Sequence, residues 1–193
     1  MSDQTDLIKR VLGQNYLQLA LVKLSVDEDA GEKTTVRAKI GEGDQQVDVE
    51  GTGVGVVDAL YAGLLDRYAR EYKSLESIEI VDFKLSADMG SKQRTAGVDA
   101  LGKVTLDVTN SEGKHFTFAD TSRSVTTSSA RAVIACVQYF LNAERAFVTL
   151  FNARKDAIQR GREDLVSRYT AELAEVVQST SYAEVIANMR KQL

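Results

Sequence analysis

One order of segments occurs twice in this chain, and it limits the fold more than composition does. Tyr16–Val26 (YLQLALVKLSV) and Thr34–Ile40 (TTVRAKI) alternate apolar and polar residues, as half-buried strands do. Gly41-Glu42-Gly43-Asp44 supplies a turn, and Gln45–Glu50 returns as a third short strand. Gly51-Thr52-Gly53-Val54-Gly55 follows, then a helical run from about Val56 to Tyr72 with Val56, Val57, Leu60, Leu64, Leu65 and Tyr68 at helical spacing. The second half repeats the order. Ser77–Leu85, Gly102–Thr109 and His115–Ala119 read as strands, with a polar connector over Asp88–Gly97. The hydroxyl-rich stretch Thr121–Ser129 then leads into a helix from about Thr127 to Leu150. Three strands closed by one helix, twice, predict an α+β fold: two βββα halves, about 14–72 and 76–150.

Beyond this domain (1–150), residues 151–193 read as a helical tail. Leu165, Tyr169, Leu173, Val176 and Val177 share one face of an amphipathic helix over Asp156–Gln178. Ser181 and Glu184 have capping-box spacing for a last short helix carrying Val185, Ile186 and Met189. The tail must bury its stripe against the body or a partner.

Several functions are disfavoured at once. A single Cys rules out an internal disulfide, and one Cys with one His rules out the usual structural zinc sites within one chain. The start, MSDQTD, lacks the charged-then-apolar pattern of a signal peptide, and no uncharged apolar run reaches the ~18–20 residues of a membrane span. The balance of 24 basic against 28 acidic residues disfavours nucleic acid as the main partner. A soluble, cytoplasmic protein without metal or cofactor is the expectation.

Chemistry-bearing residues are sparse. The Gly51–Gly55 turn lets a backbone approach closely and ends at a helix N-terminus, which favours anions, but it matches neither a dinucleotide fingerprint nor a phosphate-binding loop. Taken alone, a tight strand-to-helix turn is the better explanation. Ser122–Ser129 (SRSVTTSS) occupies the same place in the second half, and its hydroxyls suit helix capping. Arg131, one turn on, suits either a carboxylate partner or solvent. His115 stands without a catalytic constellation, and Cys136 lies in an apolar helical run, so neither marks an active site.

The two turns, in order, carry a resemblance. Glu50–Leu60 (EGTGVGVVDAL), Phe83–Val104 (FKLSADMGSKQRTAGVDALGKV) and Ser124–Val133 (SVTTSSARAV) resemble segments of the C-terminal regulatory domain of 2-isopropylmalate synthases and citramalate synthases. The resemblance covers roughly Tyr16 to Leu150. It implies two βββα units with the helices between two small sheets, a homodimer, and feedback binding of a branched-chain amino acid, leucine or isoleucine. It further implies an effector site with Gly51, Thr52, Gly53 and Val56 on one wall, and Ser86, Ala87, Asp99 and Ala100 around the connector. Val125, Thr126 and Thr127 would form the pseudo-symmetric turn. Val54 stands where the family usually has Pro, Lys92 and Arg94 make the connector basic, and the tail extends past the family domain's usual end. The family's acyl-transfer chemistry resides in a TIM barrel with a metal held by paired histidines. A barrel takes ~250 residues, and this chain has 193 and one His. The expectation is therefore a non-catalytic regulatory module acting on a separate barrel enzyme. The alternatives are a ligand-free dimeric scaffold that grips a partner with its tail, or the regulatory part of a longer synthase.

Overall fold

The computed structural model describes residues 2–29, 33–88 and 101–178, together with Val185. Two three-stranded antiparallel sheets form from consecutive strands. The first contains β1 (Leu19–Glu28), β2 (Thr34–Glu42) and β3 (Gln45–Gly53); the second contains β4 (Glu79–Asp88), β5 (Leu101–Thr109) and β6 (His115–Ser122). Each strand lies within a few residues of its place in the sequence reading. The helices are α1 (Ser2–Leu12), α2 (Val56–Tyr68), α3 (Val125–Gln159) and α4 (Glu163–Val177). Among the described residues, none is long and apolar enough to cross a membrane.

Alternation decides which face of each sheet is covered. Val36, Ala38 and Ile40 of β2, and Val104, Leu106 and Val108 of β5, are buried on the inner faces. On the outer faces charges pair across strands, as in Arg37–Glu50 at 3.1 Å and Lys39–Asp48 at 3.0 Å. Helix α2 lies on β2 and β3, α3 lies on β5 and β6 and also meets β1, and the two helices pack on each other. The helices thus stand between the sheets, with burial around much of their circumference, including Ala59, Leu60, Tyr61, Gly63 and Leu64 in α2. Under the second sheet, Phe116 and Phe118 meet Phe140 edge-on and Tyr139 at a tilt, with centroids 5.0 Å apart for Phe116–Phe140.

Glycine explains how closely α2 sits on its sheet. A Cβ at Gly51 would meet the Gly63 nitrogen at 2.5 Å, and one at Gly63 would meet the Glu50 carbonyl oxygen at 2.8 Å. Strand and helix backbones touch there with no room for a side chain.

Three features depart from the sequence reading. The polar N-terminus forms α1, whose Leu7, Ile8 and Leu12 are buried against α3 and α4. Helix α3 runs through Leu150 to Gln159 and stops at Gly161, which takes φ 66°, a left-handed conformation that glycine adopts without a Cβ penalty. Helix α4 then folds back, so the described tail buries its stripe on the body, with Tyr169, Leu173, Val176 and Val177 joining the main core. The capping box at Ser181 and Glu184 lies outside the described residues.

The halves are related in detail. The first strand of each sheet carries a β-bulge near its start, between Leu21 and Lys23 in β1 and between Ile80 and Asp82 in β4. Each bulge turns the next apolar residue inward, so Leu24 pairs with buried Ala38 and Phe83 with buried Leu106. Beyond the bulges these inner faces outrun their helices, leaving Phe83 40% and Leu85 55% exposed.

Candidate effector site

The two strand-to-helix turns differ chemically although they are equivalent in the fold. In the first, Gly55 is the N-cap and offers no side-chain cap. The Asp58 carboxylate instead reaches back to the turn, accepting from the Val54 N–H at 3.0 Å. Val54, at the tip, is 88% exposed. In the second, Ser124 accepts from the Thr127 N–H at 3.2 Å, Ser128 Oγ donates to Ser122 Oγ at 2.8 Å, and Ser129 Oγ donates to the Val125 carbonyl at 2.8 Å. Every serine in this stretch is thus hydrogen-bonded, Ser124 as the cap of α3. Where β3 places Gly51 against α2, β6 places Asp120 opposite Val104, and its Oδ2 is buried without a hydrogen-bond partner among the described residues.

The first turns of α2 and α3 flank one cavity of about 540 Å³. Gly55, Val56, Val57 and Asp58 form the α2 side, and Val125, Thr126 and Ser129 the α3 side. Ile80 and Phe83 of β4 close it from the second sheet. The walls are therefore mainly aliphatic and aromatic, with two helix N-termini and one lining carboxylate. Such a cleft suits a small molecule with an apolar body and a charged head.

Of the residues that the resemblance implied, Val56, Val125 and Thr126 line this cavity. Gly51 and Gly53 face α2, where a Cβ at Gly53 would meet the Ala59 nitrogen at 2.6 Å, and packing accounts for both. Thr52 pairs with Thr35 and is exposed. Thr127 gives its N–H to the Ser124 cap. Ser86 is exposed on β4 opposite Lys103, and Ala87 pairs with Gly102. Asp99 and Ala100 lie outside the described residues.

Gly55, Val57, Asp58, Ile80, Phe83 and Ser129 also line the cavity and are not among the residues that the resemblance implied. Strict alternation would put Ile80 and Phe83 on opposite faces of β4, and the bulge at Val81 brings them to one. No simple sequence signal marks that bulge.

Neither of the ordinary reactive residues is placed for chemistry. Cys136 is buried, and desolvation pushes its thiol well above the usual range. His115 is exposed at the start of β6. Among the described residues no three His, Cys, Asp or Glu side chains gather as a metal cluster.

Comparison with curated proteins gives no match. The family model of the LeuA allosteric (dimerisation) domain matches residues 2–141, from α1 to the middle of α3, and so takes in both turns and the whole cavity. That family is a regulatory domain and not a catalytic one. The chain belongs to the LeuA allosteric (dimerisation) domain family.

Proposed function

We propose that the protein is a homodimeric regulatory module that binds a branched-chain amino acid, leucine or isoleucine, in the cavity between the starts of α2 and α3. The observation that carries this reading is the pairing of two helix N-termini with an open, mainly apolar cleft that holds a single carboxylate. An amino acid brings a carboxylate for helix-start amides, an ammonium for Asp58, and an aliphatic side chain for Val56, Ile80, Phe83 and Val125. The partly bare inner faces at Phe83 and Leu85 give a second copy an apolar surface beside the cavity. By favouring one arrangement of such a dimer, the amino acid would bias a separate barrel enzyme bound to it. The scaffold alternative gains little support from the tail, because α4 spends its apolar face on α1 and α3.

Val125→Asp tests the site without attacking the fold. Val125 is the first residue of α3 and exposed, and an acid in a helix's first turn is favourable. The new carboxylate occupies the cavity wall and repels the ligand's own. Calorimetric titration with leucine and isoleucine should show binding to the parent and a loss of at least about 100-fold in the variant, the scale of a like-charge contact with the ligand's carboxylate. Parental affinity in a folded Val125→Asp protein would place the ligand elsewhere.

A further inference from the structure

The linker joining the two halves is held from both central helices. Lys73–Ser77 forms a short 3-10 helix between α2 and β4. Glu144 of α3, only 4% exposed, accepts from the Ser74 hydroxyl at 2.6 Å, the Ser74 N–H at 2.9 Å and the Lys73 N–H at 3.3 Å. From α2, the Tyr61 hydroxyl donates to the Ile78 carbonyl at 2.8 Å. Burial pushes the Glu144 carboxyl upward in pKa while these donors pull it down. The Lys73 ammonium turns away to Glu76, at 2.6 Å, so the hydrogen bonds to the buried carboxylate come from neutral donors. An acid inside a protein is a costly way to hold a loop unless the loop's position matters.

The linker leads directly into the cavity wall. Ile78 caps the 3-10 helix, Glu79 opens β4, and Ile80 and Phe83 line the cavity. We infer that Glu144 is a positioning residue for the cavity: by fixing Lys73 and Ser74 it sets where β4 starts, and so where Ile80 and Phe83 stand opposite Val56 and Val125. The same helix supplies an internal control. Asn142 and Gln138 hold the start of β1 in a similar way, with Asn142 Oδ1 accepting from the Leu17 N–H at 2.9 Å and Gln138 Oε1 from the Leu19 N–H at 2.6 Å. That clamp leads to β1, which contributes nothing to this cavity.

The inference rests on the cavity being the effector site, and its first test needs no ligand. Hydrogen exchange followed by mass spectrometry on the full chain compares Glu144→Ala, Glu144→Gln and Gln138→Ala with the parent. Glu144→Ala strands two buried donors of Ser74 and the part-buried Lys73 N–H, and should cut protection over residues 73–83 by about tenfold or more, with the interiors of α2 and α3 unchanged. Glu144→Gln keeps an acceptor for the N–H groups and should restore most of that protection. Gln138→Ala should loosen residues 16–21 only. Should Glu144→Ala fold too poorly, Ser74→Ala removes one of the same bonds and should loosen the same segment less. In a leucine titration, Glu144→Ala should weaken binding about tenfold while Gln138→Ala leaves it unchanged. Protection over 73–83 equal to the parent's, a loss spread evenly over all elements, or failure of Glu144→Gln to rescue would each overturn the inference. If the parent binds no leucine, the effector reading fails, and the exchange result still decides what Glu144 positions.

Discussion

A methyl group at Gly51 is expected to destabilise the protein by about 3 kcal/mol, the upper part of the usual range for overpacking a core. The added carbon would meet the Gly63 nitrogen at 2.5 Å and its Cα at 2.9 Å. Both are backbone atoms of α2, so no side chain can swing aside and the whole helix must lift. Lifting it uncovers Leu60 and Leu64, each fully buried. For a domain of this size, Tm should fall by roughly 6–12 °C. Gly63→Ala, which crowds the same contact from the other side, should cost a similar amount, and the double variant less than the sum, because one displacement relieves both. A thermal melt of Gly51→Ala within a degree or two of the parent would show that α2 does not seat on β3 as described. The same geometry makes Gly53 a poor position for testing ligand binding: a side chain there meets the Ala59 backbone and disturbs the fold first.

Removal of residues 163–193 should cost still more. Val176 and Val185 are buried, and Tyr169, Leu173 and Val177 pack against the core. At about 2 kcal/mol for each fully buried apolar side chain, and less for the partly buried ones, the loss is about 5 kcal/mol, a large share of a typical domain's stability. The ion pairs that go with it, such as Arg10–Glu172 at 3.9 Å, are peripheral and add little. Truncation should lower Tm by roughly 10–20 °C and expose α1's partners to dye binding. Effector affinity of the folded fraction should stay unchanged. The α4 contact at Arg154–Thr170 lies about 40 Å along α3 from Val125, by helical rise alone. A truncated protein that melts with the parent would contradict the packing of the tail on the body. A loss of leucine affinity beyond the loss of stability would mean that the tail helps to build the cavity.

How much of this was legible depends on whether the signal was local. Strands β2 and β5 declare themselves because each alternates residue by residue and is buried on one face. The turn glycines announced a special backbone, but a single sequence cannot distinguish glycine kept for a ligand from glycine kept for packing. Gly63, thirteen residues from Glu50, decides the matter only once α2 is folded onto β3. Helix α1 was hidden because Leu7, Ile8, Val11 and Leu12 form a stripe too short to stand alone, and its burial depends on α3 and α4 far along the chain. The boundary between α3 and α4 was placed near Leu150, whereas the chain turns at Gly161, the residue that can adopt the left-handed cap. The placing of Phe83 beside Ile80 was not legible because a one-residue bulge reverses its face. Val56, Val125 and Thr126, which the resemblance implied, line the cavity because they follow the turns that carried it.

The most direct test of the central claim is a thermal-shift screen of the parent protein against the twenty amino acids. A ligand present at 100-fold its Kd adds about 2.7 kcal/mol to the folded state, which in a domain of this size raises Tm by roughly 5–10 °C. The account predicts such a shift with leucine or isoleucine, little with polar or charged amino acids, and its disappearance in Val125→Asp. A flat screen, or an equal shift in Val125→Asp, would contradict the assignment of an amino-acid effector to the cavity between α2 and α3.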